Sequence, residues 1–280
     1  MTGTSVYISV DLEGVAGVAR LNNTAPGHST FPRGQVLMTE EANAAVAGAF
    51  DAGASRVVVA DSHGVMDNIL PGLLDARATL VSGSPRTCGM VCGLTEEFDA
   101  AFFVGYHAAA GQPGVLAHTF TGHWSELRLN GEPQSEADVN ALVAGEFGVP
   151  VKLLTGDDET CTSGIRGVSG VRTVEVKKHL AYNAALSLSP TAARDAIRAG
   201  AARALTDDIA ALVVPDRIQV DIDLKAPGAA ELAAAVPTVE RLTQHTVRVE
   251  CTSMAGVYAF ITVVSALAAH AVSAVTRPEP

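Results

Sequence analysis

The segment 104–120, VGYHAAAGQPGVLAHTF, places two histidines, His107 and His118, on either side of a glycine-containing stretch. His107 follows an apolar run, and His118 lies in a predicted loop. Imidazole is a frequent zinc ligand and also the side chain whose pKa lies closest to neutral pH. The segment alone does not decide whether either histidine binds a metal, transfers protons or is an ordinary core or loop residue.

Three segments share one pattern, in which an apolar β-type run ends in residues that can bind a metal. They are VYISVDLEG (6–14), RVVVADSHG (56–64) and AFFVGYHAA (101–109). Continuous runs of Val, Ile and Phe are typical of strands buried on both faces, as in a parallel sheet. In open α/β sheets, ligands bind beyond the carboxyl ends of the strands. The sequence therefore predicts a site where these three runs end.

The candidate metal ligands at these ends are Asp11, Glu13, His63 and His107. Each residue alone has an ordinary explanation, such as a helix cap, a turn or a buried core histidine. Carboxylates or imidazoles at three successive strand ends are harder to explain by packing, because burying them unpaired is unfavourable. Together they favour a site for one or two divalent metals, and the imidazoles favour zinc. Asp61 is expected to orient His63 or to cap a turn.

The elements that position these residues are predicted from the same sequence. The segment 38–54, MTEEANAAVAGAFDAGA, has a helical pattern and forms a βαβ unit with the first two apolar runs. The dipeptide Asn130-Gly131 indicates a two-residue hairpin. Ser135 is the predicted N-cap of a helix over 135–148.

The predicted fold class is α/β, with an N-terminal layered domain over residues 1–190 that contains a mostly parallel sheet. A smaller α+β unit over residues 191–280 follows it, because the composition changes near residue 190 to an alanine-rich helix. A strand over 149–159 belongs to the first unit. The elements predicted for the second unit are a strand over 216–224, a helix over 228–235, a strand over 245–251 and a terminal helix.

Composition and charge limit the classes of function. Of 280 residues, 48 % are hydrophobic and 18 % are charged, a balance that argues against disorder. The net charge of −11 disfavours nucleic acid or an anionic membrane as the main partner. The four cysteines fit reduced thiols in a cytoplasmic protein, and the first residues show no secretory pattern.

One apolar segment, residues 254–275, is long enough to span a bilayer. Its alanine content, His270 and the strand-like TVRVEC before it favour a buried helix or a helix at a subunit interface. We therefore expect no membrane partner.

Six motifs, taken in order, resemble those of the D-aminopeptidases of the DppA type, the M55 peptidase family. They are SVDLEGVAGV, MTEEAN, DSHG, GYHA, PGVLAHTF and SEADVNA. They run across most of the first 190 residues, whereas the C-terminal third is similar only in pattern. The resemblance implies a zinc aminopeptidase that removes the N-terminal residue of short peptides or amino-acyl amides, with a preference for D-amino acids. It also implies two zinc ions per subunit and a homo-oligomer in the form of a ring-shaped decamer.

The resemblance also assigns roles to residues of this chain. The implied metal ligands are Asp11, Glu13, His63, His107 and Glu136, with Asp11 shared by both metals. The implied catalytic residue is His118, which would protonate the leaving amine or stabilise the oxyanion. A covalent role for this histidine ranks lower.

Some alternatives stay open. Glu132 is a second acid close to Glu136, although the predicted helix favours Glu136 as the ligand. Lys177 and Lys178 are candidates to meet a substrate carboxylate, against the ordinary interpretation as solvated lysines. The alternative functions are a metal-dependent amidase acting on a non-peptide substrate and a non-catalytic protein that binds a metal or ligand.

Overall fold

The first sheet is built around a central strand, β1 (Thr4–Val10), which is buried from Val6 to Val10 and pairs in parallel with strands on both sides. The structure, a computed structural model, describes residues 3–276, with side chains through Ser273. The sheet has seven strands in the order β3-β2-β1-β4-β7-β8-β9. The other six are β2 (Ala54–Asp61), β3 (Ala78–Val81), β4 (Ala100–Val104), β7 (Val151–Asp157), β8 (Arg172–Ala181) and β9 (Ala184–Ser187). All neighbours pair in parallel except β8 and β9, which are antiparallel.

Alternate residues of β1 face two different cores, as expected for a strand buried on both faces. Val6, Ile8 and Val10 pack toward α1 (Phe31–Asp51) and α4 (Pro190–Ala204). Tyr7 faces a second core on the other side of the sheet. This arrangement confirms the predicted α/β class with a mostly parallel sheet.

The second sheet has five strands in the order β11-β12-β10-β5-β6 and is antiparallel. Its strands are β5 (Trp124–Leu129), β6 (Glu132–Pro133), β10 (Ile218–Leu224), β11 (Glu240–Arg241) and β12 (Thr246–Cys251). The remaining helices are α2 (Glu136–Glu146), α3 (Asp158–Ser163), α5 (Pro227–Ala233) and α6 (Met254–Thr276). The second core lies between the first sheet, this sheet, α2 and α6.

Several local predictions are confirmed. Asn130 and Gly131 have φ values of 50° and 84° and join β5 to β6, as in a two-residue hairpin with both central residues left-handed. Ser135 caps α2, and its hydroxyl accepts a hydrogen bond from the Asp138 amide. The helix predicted over 38–54 begins earlier, at Phe31, because a proline is tolerated in the first helical turn.

The division near residue 190 stays a prediction. Strands from both sides of it share the second sheet, since β10 pairs with β5. The helix that follows it, α4, packs against α1, which precedes it. The sequence pattern did not predict β3 or the hairpin of β8 and β9.

Within the described residues, α6 is long and apolar enough to cross a membrane by length and composition alone. One face packs into the second core through Val257, Ile261 and Val264. The opposite face exposes small apolar residues, among them Ala259 and Val263. The helix is thus half covered by its own chain.

The ends of β1 and β4 approach so closely that only glycine fits between them. The Gly14 amide donates to the Gly105 carbonyl at 2.7 Å, and a Cβ on Gly14 would overlap the carbonyl oxygen of Tyr106. This contact places the residues that follow β1 against those that follow β4.

We expect Gly14→Ala to lower the free energy of unfolding by about 3 kcal/mol, since the added methyl group meets backbone that cannot rotate away. Urea unfolding measures this change. Gly72→Ala is the matched control, because a Cβ there meets nothing within 4 Å. Equal unfolding midpoints for the two variants would contradict the proposed close approach.

Candidate metal centre

Five of the predicted site residues come together at one edge of the first sheet. Asp11 and Glu13 follow β1, His63 follows β2, His107 follows β4, and Glu136 begins α2. Because β1 lies between β2 and β4, the carboxyl ends of these parallel strands meet where the strand order changes direction. The fold therefore collects side chains that are more than 120 residues apart in the chain.

One group of ligand-type atoms comprises Asp11, Glu13 and His63. The His63 Nδ1 atom lies 2.9 Å from Glu13 Oε2 and 3.3 Å from Asp11 Oδ1. The other ring nitrogen, Nε2, lies 2.8 Å from the Thr24 carbonyl oxygen. A carbonyl only accepts, so Nε2 carries a proton and Nδ1 faces the two carboxylates.

A second group comprises His107, His118 and Glu136. The His107 Nε2 atom lies 3.2 Å from Asp11 Oδ2 and 3.4 Å from Glu136 Oε2. His118 stacks on His107 with ring centroids 4.2 Å apart, and its Nε2 lies 3.8 Å from Glu136 Oε1. Asp11, a member of the first group, thus also contacts the second, because its Oδ1 faces His63 and its Oδ2 faces His107.

His107 and His118 are also held by backbone carbonyls, but through the opposite ring nitrogen from His63. Their Nδ1 atoms donate to the carbonyls of Ala108 and Leu116 at 3.0 and 2.9 Å. In both rings Nε2 is therefore the nitrogen that faces carboxylate oxygens. Such an arrangement is repulsive unless a cation, a proton or a metal, lies between the groups.

Several buried atoms of the site have no hydrogen-bond partner among the described residues. They are Asp11 Oδ2, Glu13 Oε2 and His107 Nε2. Leaving such groups unpaired inside a protein is costly, whereas metal coordination satisfies them. The donor set of carboxylate and imidazole atoms fits zinc.

The pKa values of the two carboxyls that follow β1, Asp11 and Glu13, shift in opposite directions. Burial, together with the charge of Glu13, raises the pKa of Asp11. Burial also acts to raise the pKa of Glu13, but the His63 imidazole beside it holds that pKa well below its usual value. For His63 and His107, burial disfavours the charged form, yet the neighbouring carboxylates raise both pKa values well above normal. The site thus attracts positive charge strongly.

The backbone of His118 is hydrogen-bonded as well as its ring. Its amide donates to the Ala108 carbonyl at 3.2 Å. Leu116, whose carbonyl accepts the hydrogen bond from Nδ1, has a left-handed φ of 58°. Asp157 fixes the same loop, because its Oδ2 accepts from the Val115 amide at 2.7 Å. The side chain of His118 is 26 % exposed, so Nε2 can meet a substrate.

The structure resolves two roles that the sequence left open. Asp61 caps a turn, since its carboxylate accepts hydrogen bonds from the amides of Asn68 and Ile69. The acid at Glu132 lies on the exposed surface in an ion pair with Arg166, away from both ligand groups. Which atoms bind a metal, and whether His118 binds or catalyses, stays a prediction.

Lys177 is a supporting residue whose role the sequence did not reveal. Its buried ammonium donates to the carbonyls of Glu13, Val15 and Val18, which lie in the loop after β1. Burial lowers the pKa of Lys177 to about 8. The ammonium group of Lys177 is therefore fully used in hydrogen bonds to the backbone and is not free to bind a substrate carboxylate.

Glu41 on α1 holds the same loop from the other side. One carboxylate oxygen accepts a hydrogen bond from the Ala16 amide at 2.9 Å. Burial raises the pKa of Glu41 to about 7. The loop that carries Glu13 is thus anchored both to α1 and to β8.

Comparison with known proteins identifies the family. A family model described as Peptidase_M55, D-aminopeptidase, matches residues 5–263. The chain belongs to the M55 peptidase family. It is 35 % identical to a D-aminopeptidase of Bacillus subtilis (strain 168) over 266 residues, which cover 94 % of this chain and 97 % of the relative.

A solved structure of the same family is also similar. It is described as the Zn-dependent D-aminopeptidase DppA from Bacillus subtilis, a self-compartmentalizing protease. The TM-score is 0.92 at 34 % identity, and the match covers 95 % of this chain and 98 % of that one. The likeness spans both sheets of this M55 peptidase.

We expect Lys177→Met to destabilise this M55 peptidase by about 3 kcal/mol, because three buried carbonyls lose their donor. The altered loop should also release metal to a chelator at lower chelator concentration than in the wild type. Urea unfolding and chelator competition measure the two effects. Lys178→Met, at the neighbouring exposed lysine, is the control. If Lys177→Met kept its metal against the chelator as well as the wild type does, the anchoring role would be wrong.

Proposed function

We propose that this chain is a zinc-dependent aminopeptidase that hydrolyses the N-terminal residue of short peptides or amino-acyl amides and prefers D-amino acids. The observation that carries the proposal is the pair of ligand groups that Asp11 connects, as a member of one and a contact of His107 in the other. Membership of the M55 family supports the reaction, and the zinc dependence of the DppA relative supports the metal.

We assign two zinc ions per chain. Asp11, Glu13 and His63 would hold one ion, and Asp11, His107 and Glu136 would hold the other. Zinc, when bound, supplies Lewis acidity that polarises a carbonyl and lowers the pKa of water. The three carboxylates, of Asp11, Glu13 and Glu136, would offset most of the positive charge of the two ions.

His118 is the proposed proton carrier. Because Nδ1 is held by the Leu116 carbonyl, Nε2 is the atom that takes up and delivers a proton. In hydrolysis the amide C–N bond breaks, the carbonyl carbon gains the hydroxyl of water, and Nε2 gives its proton to the leaving amine. Glu136, whose Oε1 also accepts from the Phe120 amide at 2.6 Å, lies close enough to stabilise the charged imidazole.

The alternatives are less well supported. An amidase acting on a non-peptide substrate would use the same chemistry, but the family to which the chain belongs is described as D-aminopeptidase. A non-catalytic binding protein has no need of a partly exposed histidine with an available Nε2. A cytoplasmic location stays a prediction.

We further propose that the chain forms a homo-oligomer, in the form of a ring-shaped decamer. The DppA relative is described as self-compartmentalizing, which supports assembly. The outward face of α6 and the hairpin of β8 and β9, with Leu180 66 % and Leu186 63 % exposed, offer apolar surface for subunit contacts.

Metal analysis and turnover assays on two histidine variants test the site. The wild type should bind about two zinc ions per chain and should hydrolyse D-alanyl amide only with metal present. His107→Ala should lose metal and activity together. His118→Ala should keep its metal but lose at least about 100-fold in kcat, since general acid catalysis contributes about 10²–10⁴.

Two results would refute these assignments. Active wild-type protein without any divalent metal would remove the zinc mechanism. Equal loss of metal in both histidine variants would make His118 a ligand instead of a proton carrier.

Light scattering after size exclusion, without detergent, tests assembly. We expect a particle several times heavier than the 28.7 kDa chain. Val263→Glu, on the outward face of α6, should lower this mass, because a charge is costly in an apolar contact. Leu73→Glu, at an exposed leucine elsewhere on the surface, should leave the mass unchanged. A monodisperse wild-type monomer would exclude the oligomer.

A further inference from the structure

A cavity of about 510 Å³ opens beside the metal centre. His107 lies in its wall, and the rest is formed by the loop after β4, the first turn of α2, α3 and residues 164–167. This volume lies within the range of about 300–1,000 Å³ that is usual for small-molecule sites. Neither ligand group nor His118 explains the far wall, which contains Arg166.

Apart from His107, the cavity wall holds one carboxylate and one guanidinium, those of Asp138 and Arg166. Both oxygens of the Asp138 carboxylate accept hydrogen bonds, one from the Ser135 amide and hydroxyl and the other from the Arg166 amide. Its negative charge remains, but its oxygens are directed to these donors. Arg166 is therefore the side chain with a donor left for a ligand in the cavity.

Two of the three nitrogens of the Arg166 guanidinium are engaged, and the third is available. Its Nε donates to the Pro133 carbonyl at 3.2 Å, and Nη1 lies 3.1 Å from Glu132 Oε2. Nη2 has no hydrogen-bond partner among the described residues. Since the ion pair with Glu132 is exposed on both sides, it is weak and is open to replacement by a better-placed carboxylate.

The two ends of the site suit the two ends of a short peptide. With its zinc ions bound, the metal centre would hold the scissile amide and the amine end, whereas the cavity presents a guanidinium. Arginine binds carboxylates through paired N–H donors, so it recognises that group better than a single point charge would.

Resting on the proposed aminopeptidase function, we propose that this cavity holds the part of the substrate that follows the scissile bond and that Arg166 binds its free C-terminal carboxylate. The enzyme then selects dipeptides and similarly short peptides with a free acid end over their C-terminal amides. Glu132 is a competing partner of the same guanidinium and tunes this selectivity.

The test uses two uncleavable probes, D-alanyl-glycine with the scissile amide replaced by methylene-amine, and its C-terminal amide. Isothermal titration calorimetry of the zinc-loaded protein gives the ratio of their dissociation constants. We expect the wild type to bind the acid about tenfold more tightly than the amide, as for a charge-assisted pair. Arg166→Gln should bring the ratio close to one.

Two further variants make the test specific. Arg56→Gln is the matched control, because Arg56 forms an equally exposed ion pair with Glu97 outside the cavity, at 3.2 Å. It should keep the wild-type ratio. Glu132→Gln, which frees Arg166 without removing it, should increase the preference for the acid several-fold.

The outcomes separate the two proposals. Equal binding of acid and amide by the wild type, or an unchanged ratio in Arg166→Gln, overturns the subsite. A preference for the acid that Arg166→Gln abolishes supports it, even if the same protein fails to cleave D-alanyl-glycine. That failure would instead count against the aminopeptidase function.

Discussion

The carboxylate of Asp11 is the group on which the rest of the site depends. It is buried, and its two oxygens face His63 on one side and His107 on the other. Each imidazole donates one ring N–H to a backbone carbonyl, so its other nitrogen faces this carboxylate, and a proton or a metal must lie between the two. A negative group surrounded by lone pairs in a low-dielectric interior requires a cation. The need for positive charge is therefore built into the folded chain.

The scaffold holds this unfavourable arrangement by constraints that lie outside the ligand groups. Glycine at position 14 lets the segment after β1 touch the end of β4. Lys177 and Glu41 anchor the same segment from β8 and α1. Because these contacts fix the ligands in the folded chain, metal binding costs little further conformational entropy. Support of this kind orients the ligands and raises metal affinity.

The second core connects the site to the C-terminal part of the chain. Tyr106 precedes His107, and its hydroxyl contacts Ser9 of β1 and Asn140 of α2, which in turn contacts Tyr258 of α6. These buried polar groups satisfy one another, so they fix the relative positions of β1, α2 and α6. The helix that exposes an apolar face to possible subunit contacts is thus also one that supports the metal centre.

Much of the site was predictable because its residues carry local signals. Asp11, His63 and His107 each end an apolar run, and carboxyl ends of parallel strands necessarily meet at one edge of a sheet. Ser135 and the Asn130-Gly131 pair determine a helix start and a hairpin within a few residues of themselves. For such features the sequence by itself determines the structure, because the interactions are short in range.

The tertiary structure alone decided the rest. Lys177 contacts the Glu13 carbonyl across 164 residues, and nothing in the segment EVKKHLA distinguishes it from its solvated neighbour Lys178. Arg166 acquires its position from Asp138 of α2 and Pro133 of β6. That Asp11 offers one oxygen to each ligand group also depends on which strands flank β1. Contacts of this kind arise only when distant segments pack, so residue type and spacing along the chain carry no record of them.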